Sequence, residues 1–272
     1  MNGILKGFKR KDRAVTGPNG LGPGSSQSSS GPAAPAAGNA PVNPVLNFGA
    51  SGVKALYVRG FAGAVEIEAN DTPEVFVEVL GYEPRSTKLT VNLQGESLQI
   101  GLKSLFNPAR PWRFILPLRC MLRLTVPRSL SLRCATTSGN IRVQGVKGDL
   151  VLETESGKVE VDAPCRSLAI VAETGDADLR GLVGPLSYKA ASGWLKAAWA
   201  EVPDAGIIEI RKSKGVTELA LPESACMRQR FTLGPVGFMN EFESDAKARL
   251  ALTIASRAGN LSIRKIRSRS IE

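Results

Sequence analysis

The sequence predicts an all-β fold, a parallel β-solenoid or β-helix-like repeat domain behind a disordered N-terminal tail. Three observations carry this expectation: a turn glycine that recurs at a fixed interval, apolar alternation of period two on both flanks of that glycine, and a leading segment too poor in large side chains to fold. The glycines are Gly139, Gly157, Gly175 and Gly193, each 18 residues from the last, with Gly215 after 22 more and Gly259 after a further 44. A fixed period of this kind is the signature of a repeat architecture.

The elements follow from side chains that agree at every offset from the glycine. Seven residues before it stand Leu132, Leu150, Leu168, Leu186, Ile208 and Leu252; five before stand Cys134, Leu152, Ile170, Tyr188, Ile210 and Ile254. Two after come Ile141, Val159, Ala177, Leu195, Thr217 and Leu261; four after come Val143, Val161, Leu179, Ala197, Leu219 and Ile263. The third place after the glycine is polar in Arg142, Glu160, Asp178, Lys196 and Glu218. Alternation on both sides of a turn gives two short strands per coil with one face inward. Each strand is then expected to pair in parallel with its copy one coil on, at about 4.8 Å. Glycine at the bend fits a positive φ, which costs a residue without Cβ nothing.

Upstream, Gly63 fits the same frame, with Leu56 and Val58 before it and Val65 and Ile67 after. A further coil is expected on Glu96, with Leu89, Val91, Leu98 and Ile100 inward, and an irregular one around "MRQRFTLGPVGF". An antiparallel sandwich would also give short strands with regular turns. The domain organisation expected is a basic-tipped, Gly/Pro/Ser/Ala-rich tail over 1–45, the repeat domain over 46–267, and a frayed terminus over 268–272.

The run "LTVPRSLSLRCATTSGNIRVQGVKGDLVLETESGKVEVDAP", residues 124–164, resembles the putative-adhesin family of bacterial β-strand-repeat proteins, a domain of unknown function. "LYVRGFAGAVEIEANDTPEVFVEV", residues 56–79, is similar to the N-terminal part of that family. The resemblance implies a solenoid-like fold and no catalytic residues. A fainter similarity, through the tail, is to bactofilins, polymerising β-helices whose tails help them reach the membrane.

The chain of 272 residues carries a net charge of +10, unevenly spread. Residues 1–45 hold +4, 102–123 hold +5 and 264–272 hold +3, which leaves −2 for the rest. There is no histidine, and Cys120, Cys134, Cys165 and Cys226 form no C-x-x-C pair, so the usual zinc frameworks and the Ser-His-Asp and Cys-His nucleophile systems are excluded. Cys134 falls on an inward ladder place, whereas Cys165 and Cys226 fall near turns and are candidates for exposure. The carboxylates of Glu153, Glu155, Glu160, Asp162, Glu173, Asp176 and Asp178 lie on two consecutive coils. They read as a solvated face complemented by Arg142, Lys158, Arg180 and Lys196, with an acidic-patch glycan enzyme or a calcium site as the lesser readings.

No cofactor and no metal is expected, and the chain reads as a non-catalytic, adhesin-like interaction or scaffold module with a protein or cell-envelope partner. One alternative is a nucleic-acid or anionic-surface binder using basic appendages; another is a polymerising, bactofilin-like cytoskeletal scaffold. The candidate contact residues for an anionic surface are Lys6, Lys9, Arg10, Lys11 and Arg13, set around Ile4, Leu5 and Phe8 in a short amphipathic end, together with Arg110, Trp112 and Arg113. With no signal peptide or spanning segment recognised, the expected location is cytoplasmic, with residues 1–13 as a peripheral membrane contact.

Overall fold

A computed structural model describes residues 45–49, 53–59, 63–81, 87–104 and 120–266. All of them lie in one unit spanning Ala40–Glu272. The tail and the extreme C-terminus fall outside the described residues. Every regular element among the described residues is a strand, so the all-β expectation holds.

The central part repeats one unit. β8 (Ser131–Ser138) and β9 (Ile141–Gln144) flank Gly139, β10 (Asp149–Ser156) and β11 (Val159–Asp162) flank Gly157, β12 (Ser167–Thr174) and β13 (Ala177–Leu182) flank Gly175, and β14 (Leu186–Ser192) and β15 (Trp194–Trp199) flank Gly193. Strands before the bend pair in parallel with one another, and strands after it do the same. Leu132 faces Leu150, Leu150 faces Leu168, and Leu168 faces Leu186; Ile141 faces Val159, which faces Ala177. Two ladders result, one before the bend and one after. They join into a single sheet because β16 (Gly206–Pro222) and β19 (Leu250–Ile266) run unbroken through both.

The alternation predicted from sequence is the alternation of burial. Leu150, Leu152, Leu179 and Leu186 are fully buried, and Leu168, Ile170, Val159 and Val161 nearly so. Each such side chain contributes about 1.5–3 kcal/mol relative to leaving it in water. At the bend, Gly157 has φ 131° and Gly175 φ 145°. A Cβ on Gly175 would run into the carbonyl oxygen of Gly157, and one on Gly157 into that of Gly139, so the bends stack backbone on backbone with no room for a side chain.

The ends depart from sequence order. β2 (Ala55–Arg59) pairs with β8 on one side and with β6 (Ser97–Ser104) on the other; β3 (Ala64–Asn70) lies likewise between β9 and β7 (Met121–Pro127). The strands β2 and β3, earlier in the chain, therefore lie between β8 and β9 on one side and β6 and β7 on the other. The same happens at the other end, where β19 lies between β16 and the pair β17 (Arg228–Leu233) and β18 (Val236–Asn240). The segment "MRQRFTLGPVGF", expected to hold an irregular coil, forms the strands β17 and β18, which lie on the far side of β19 rather than between β16 and β19.

Two further expectations are corrected. Residues 87–104 are not a coil bent at Glu96. β5 (Thr87–Gln94) and β6 form an antiparallel hairpin closed by Gly95 and Glu96, with Gln94 opposite Ser97 and Gly95 at φ 59°, the left-handed geometry that two-residue hairpin loops need. Leu98 and Ile100 then face Leu56 and Val58, so they fill the places before a bend, not after one. The sheet is also mixed rather than purely parallel: β4 (Glu74–Leu80) pairs antiparallel with β7 and with β1 (Val45–Gly49).

Candidate functional site

The ladder after the bend turns its third residue outward, and parallel register lines these residues into a row across the strands. In spatial order they are Arg123, Glu66, Arg142, Glu160, Asp178, Lys196 and Glu218. The row alternates in sign except where Glu160 meets Asp178. There each carboxylate takes a cation from its own strand or bend: Lys158 Nζ lies 2.5 Å from Glu160 Oε1, and Arg180 donates to Asp178 through Nη2 at 2.6 Å and Nε at 3.1 Å. The Arg180 hydrogen bond holds the Asp178 carboxyl below the usual carboxylate range. At the other end Arg123 spans Glu66 and Glu78, at 3.4 Å each. Lys158 also stands over the Trp194 ring, 5.8 Å from its centroid.

Between these side chains runs a polar groove of 170 Å³, lined by Arg142, Lys158, Glu160, Asp162, Asp178 and Arg180 among others. The outer face of the ladder before the bend is different. Its row reads Tyr57, Arg133, Val151, Ala169, Ser187, Glu209 and Thr253. Arg133 donates to Glu153 at 2.6 Å there, and Val171 on the same face is 48% exposed. The face after the bend thus carries an unbroken row of charges, whereas on the other face Arg133, Glu153, Lys189, Glu209 and Arg211 are separated by small and apolar groups such as Ala135, Val151, Ala169 and Val171.

The carboxylates singled out in the sequence are not gathered into one site. Glu153 belongs to the face before the bend; Glu160, Asp162 and Asp178 belong to the other; Asp176 accepts the Trp194 amide at 3.0 Å beside the bend. Among the described residues no group of three or more Cys, Asp or Glu side chains is placed to hold a metal ion. Burial pushes the Cys134 thiol up to about 12 and the Cys165 thiol up to about 11, the opposite of thiolate activation. Cys165 is buried, contrary to the exposure its turn position suggested, because its side chain joins the core at the corner between coils. Cys226 is exposed, and its thiol donates to Asp245 Oδ2 at 3.0 Å, which raises its pKa. Lys6, Lys9, Arg10, Lys11, Arg13, Arg110, Trp112 and Arg113 lie outside the described residues.

One residue escaped sequence reasoning. Lys212 is 5% exposed, and its ammonium donates to the carbonyls of Gly193 at 2.7 Å and Val216 at 2.6 Å, stitching two successive bends. Burial lowers its pKa to about 8, against a smaller opposing effect of Asp176. The signal was present: the third place before the glycine reads Thr136, Thr154, Ala172 and Ala190, then Lys212 and Ser256, so a lone cation interrupts a column of small residues.

Among the described residues no helix is long and apolar enough to cross a membrane. No family profile matches the sequence, and no curated protein matches it. Two solved structures are similar in outline. A putative cell adhesion protein from Clostridium sporogenes aligns over 82% of this chain and 99% of its own, at 9% identity and a TM-score of 0.34. A putative adhesin from Bacteroides fragilis aligns over 83% of this chain and 98% of its own, at 12% identity and a TM-score of 0.43.

Proposed function

We propose that the chain is a non-catalytic interaction or scaffold module, in which the two ladders form the sides of a β-solenoid and the charged face after the bend engages a protein or cell-envelope partner. The observation that carries this reading is the in-register charge row from Arg123 to Glu218. The strands that carry these residues lie about 4.8 Å apart in parallel register, which fixes the order of the charges along the row. A neutralised row of this kind offers no net attraction. It selects by pattern, since a partner gains only where its own charges interleave and is repelled where they do not.

The test is photo-crosslinking in cells with a reactive residue placed at Lys196 on the charged face or at Val171 on the other. Specific adducts from position 196 and none from 171 are expected; adducts only from 171, or from neither, would contradict the assignment. Two other outcomes would replace it. Salt-sensitive retention on DNA or heparin that disappears on deleting residues 1–13 would favour anionic-surface binding, and filaments that survive high salt would favour a polymerising scaffold.

A further inference from the structure

The charge row on the face after the bend has an order of its own. Counted from Arg123 to Glu218, the signs run plus, minus, plus, minus, minus, plus, minus. Read from the other end, every sign is reversed except that of the middle member, Glu160. Arg123 thus answers Glu218, Glu66 answers Lys196 and Arg142 answers Asp178, each pair standing the same number of strands from Glu160. A row of charges that is its own complement when reversed fits a second copy of itself.

Two such faces laid against each other are related by a twofold axis lying between them. With the axis along the row, each charge meets its own copy and is repelled. With the axis along β11, through Glu160, the order of the strands reverses while positions along them are kept, and all three opposite pairs form twice. The same operation suits flanking residues that had no part in choosing it. One place before each charge, Trp194 falls opposite the second copy's Ala64, and Val216, 38% exposed, opposite its Met121. Asn140 and Asp176, which flank Lys158 on either side, fall opposite each other. Apolar groups thus meet apolar groups, and an amide meets a carboxylate. On the axis, Lys158, Glu160 and Asp162 meet their own copies. Lys158 holds Glu160 at 2.5 Å, so those two form a neutral quartet, whereas Asp162 faces a like charge.

We propose that the chain forms an isologous homodimer through this face, with Glu160 on the twofold axis. The inference rests on the reading of the charged face as an interaction surface and names its partner as a second copy. Seven strands span about 29 Å and the residues used about 17 Å along them, so about 500 Å² per copy is covered, below the roughly 800 Å² of a standard interface. The dimer is therefore weak and salt-sensitive, held by charge order more than by apolar area. The Asp178 side chain is 11% exposed beneath Arg180, which leaves most of the discrimination to the Glu66–Lys196 and Arg123–Glu218 contacts.

Sedimentation velocity on the full chain tests it. A concentration-dependent dimer is expected at low salt and its dissociation at high salt. Lys196→Glu and Glu66→Lys should each weaken self-association about a hundredfold, because symmetry repeats the like-charge contact, with thermal melting used to confirm that each variant is folded. Mixed in equal amounts, the two variants should pair with each other, since both 66–196 contacts then join opposite signs. Asp162→Asn should tighten the dimer severalfold by removing the like charge on the axis. If Glu66→Lys does not fold, because it parts Arg123 from a carboxylate, Lys196→Glu and Asp162→Asn still decide the matter by their opposite effects. A dimer unchanged by Lys196→Glu, or folded single variants that fail to pair on mixing, would overturn the proposal. A monomer at every concentration that still gives adducts to other proteins from position 196 would overturn it and leave the charged face to a different partner; a monomer giving none would overturn both.

Discussion

From β8 to β16 the strand pairs follow one another in the order in which the chain is written, whereas at both ends the chain skips a place and returns to fill it. The difference separates two kinds of information. Periodicity states which side chains lie above which, and it says nothing of which coil is the neighbour. Leu56 stacks on Leu132 as well as Leu150 does, since every coil offers the same aliphatic place at the same height. Filling the skipped place gives β2, β3 and β19 strand neighbours on both sides. Among the described residues the exposed edges are the antiparallel β5 and β1 at one end, and β17 and β18 at the other.

The largest expected effect breaks this comparison directly. Gly175→Ala, in the middle, combines a positive φ, worth about 1–3 kcal/mol, with overpacking against the Gly157 carbonyl, worth about as much again. Gly95→Ala, in the end hairpin, keeps only the left-handed strain, about 1 kcal/mol, because nothing lies within 4 Å of the added Cβ. Urea denaturation should separate the two by several-fold. Equal losses would mean that the central bends are not stacked as described.

A second test addresses the seam, where the 18-residue interval lengthens to 22 and Lys212 lies buried. Its pKa falls from 10.5 to about 8 on folding, so between those values the unfolded chain holds more protons on this group than the folded one. Its contribution to stability therefore rises with pH from about 8 to 10.5, and the ammonium form is the costly one below that window. Subtracting Lys212→Met stabilities from wild type at each pH removes the opposing titration of Cys134, Cys165 and Tyr188, and the difference should climb across the window. A flat or falling difference would contradict the burial of the cation.

The smallest effect sharpens the account of the last regular coil. The Tyr188 hydroxyl is buried with no hydrogen-bond partner among the described residues, and burial pushes its pKa up to about 12. Tyr188→Phe should therefore stabilise the fold by about 1 kcal/mol in the same denaturation assay, where loss of a satisfied hydroxyl would destabilise it by a similar amount.

The sequence made the middle legible because three demands coincide at each coil: alternation, a bend without Cβ, and like residues in register. Leu150 over Leu132, Val161 over Val143 and Gly157 over Gly139 all satisfy them. At Glu96 the same signs misled. Alternation on both sides of a glycine also describes a hairpin, and only pairing direction distinguishes the two. The end coil carried a mark of its own in the polar Gln229 and Asn240 at ladder places, where an interior coil would leave their amides unsatisfied. The charged face was legible as composition, since Arg142, Glu160, Asp178 and Lys196 share one offset. Its neutralisation by Lys158 and Arg180 depended on side-chain reach across the bend and along the strand.

Spatial order at the C-terminal end is the claim most directly open to measurement, by disulfide trapping in a Cys226→Ser background. Glu218 and Ser262 are partners in register, and so are Ser262 and Met239, whereas Glu218 and Met239 stand two strands apart, at about 9.6 Å. Cysteines at 218 and 262 should oxidise to a disulfide, as should a pair at 239 and 262, while a pair at 218 and 239 should not, being beyond the roughly 7 Å that a bridge spans. Ready oxidation of the 218–239 pair with none at 218–262 would place the coils in the order of the chain and contradict the account.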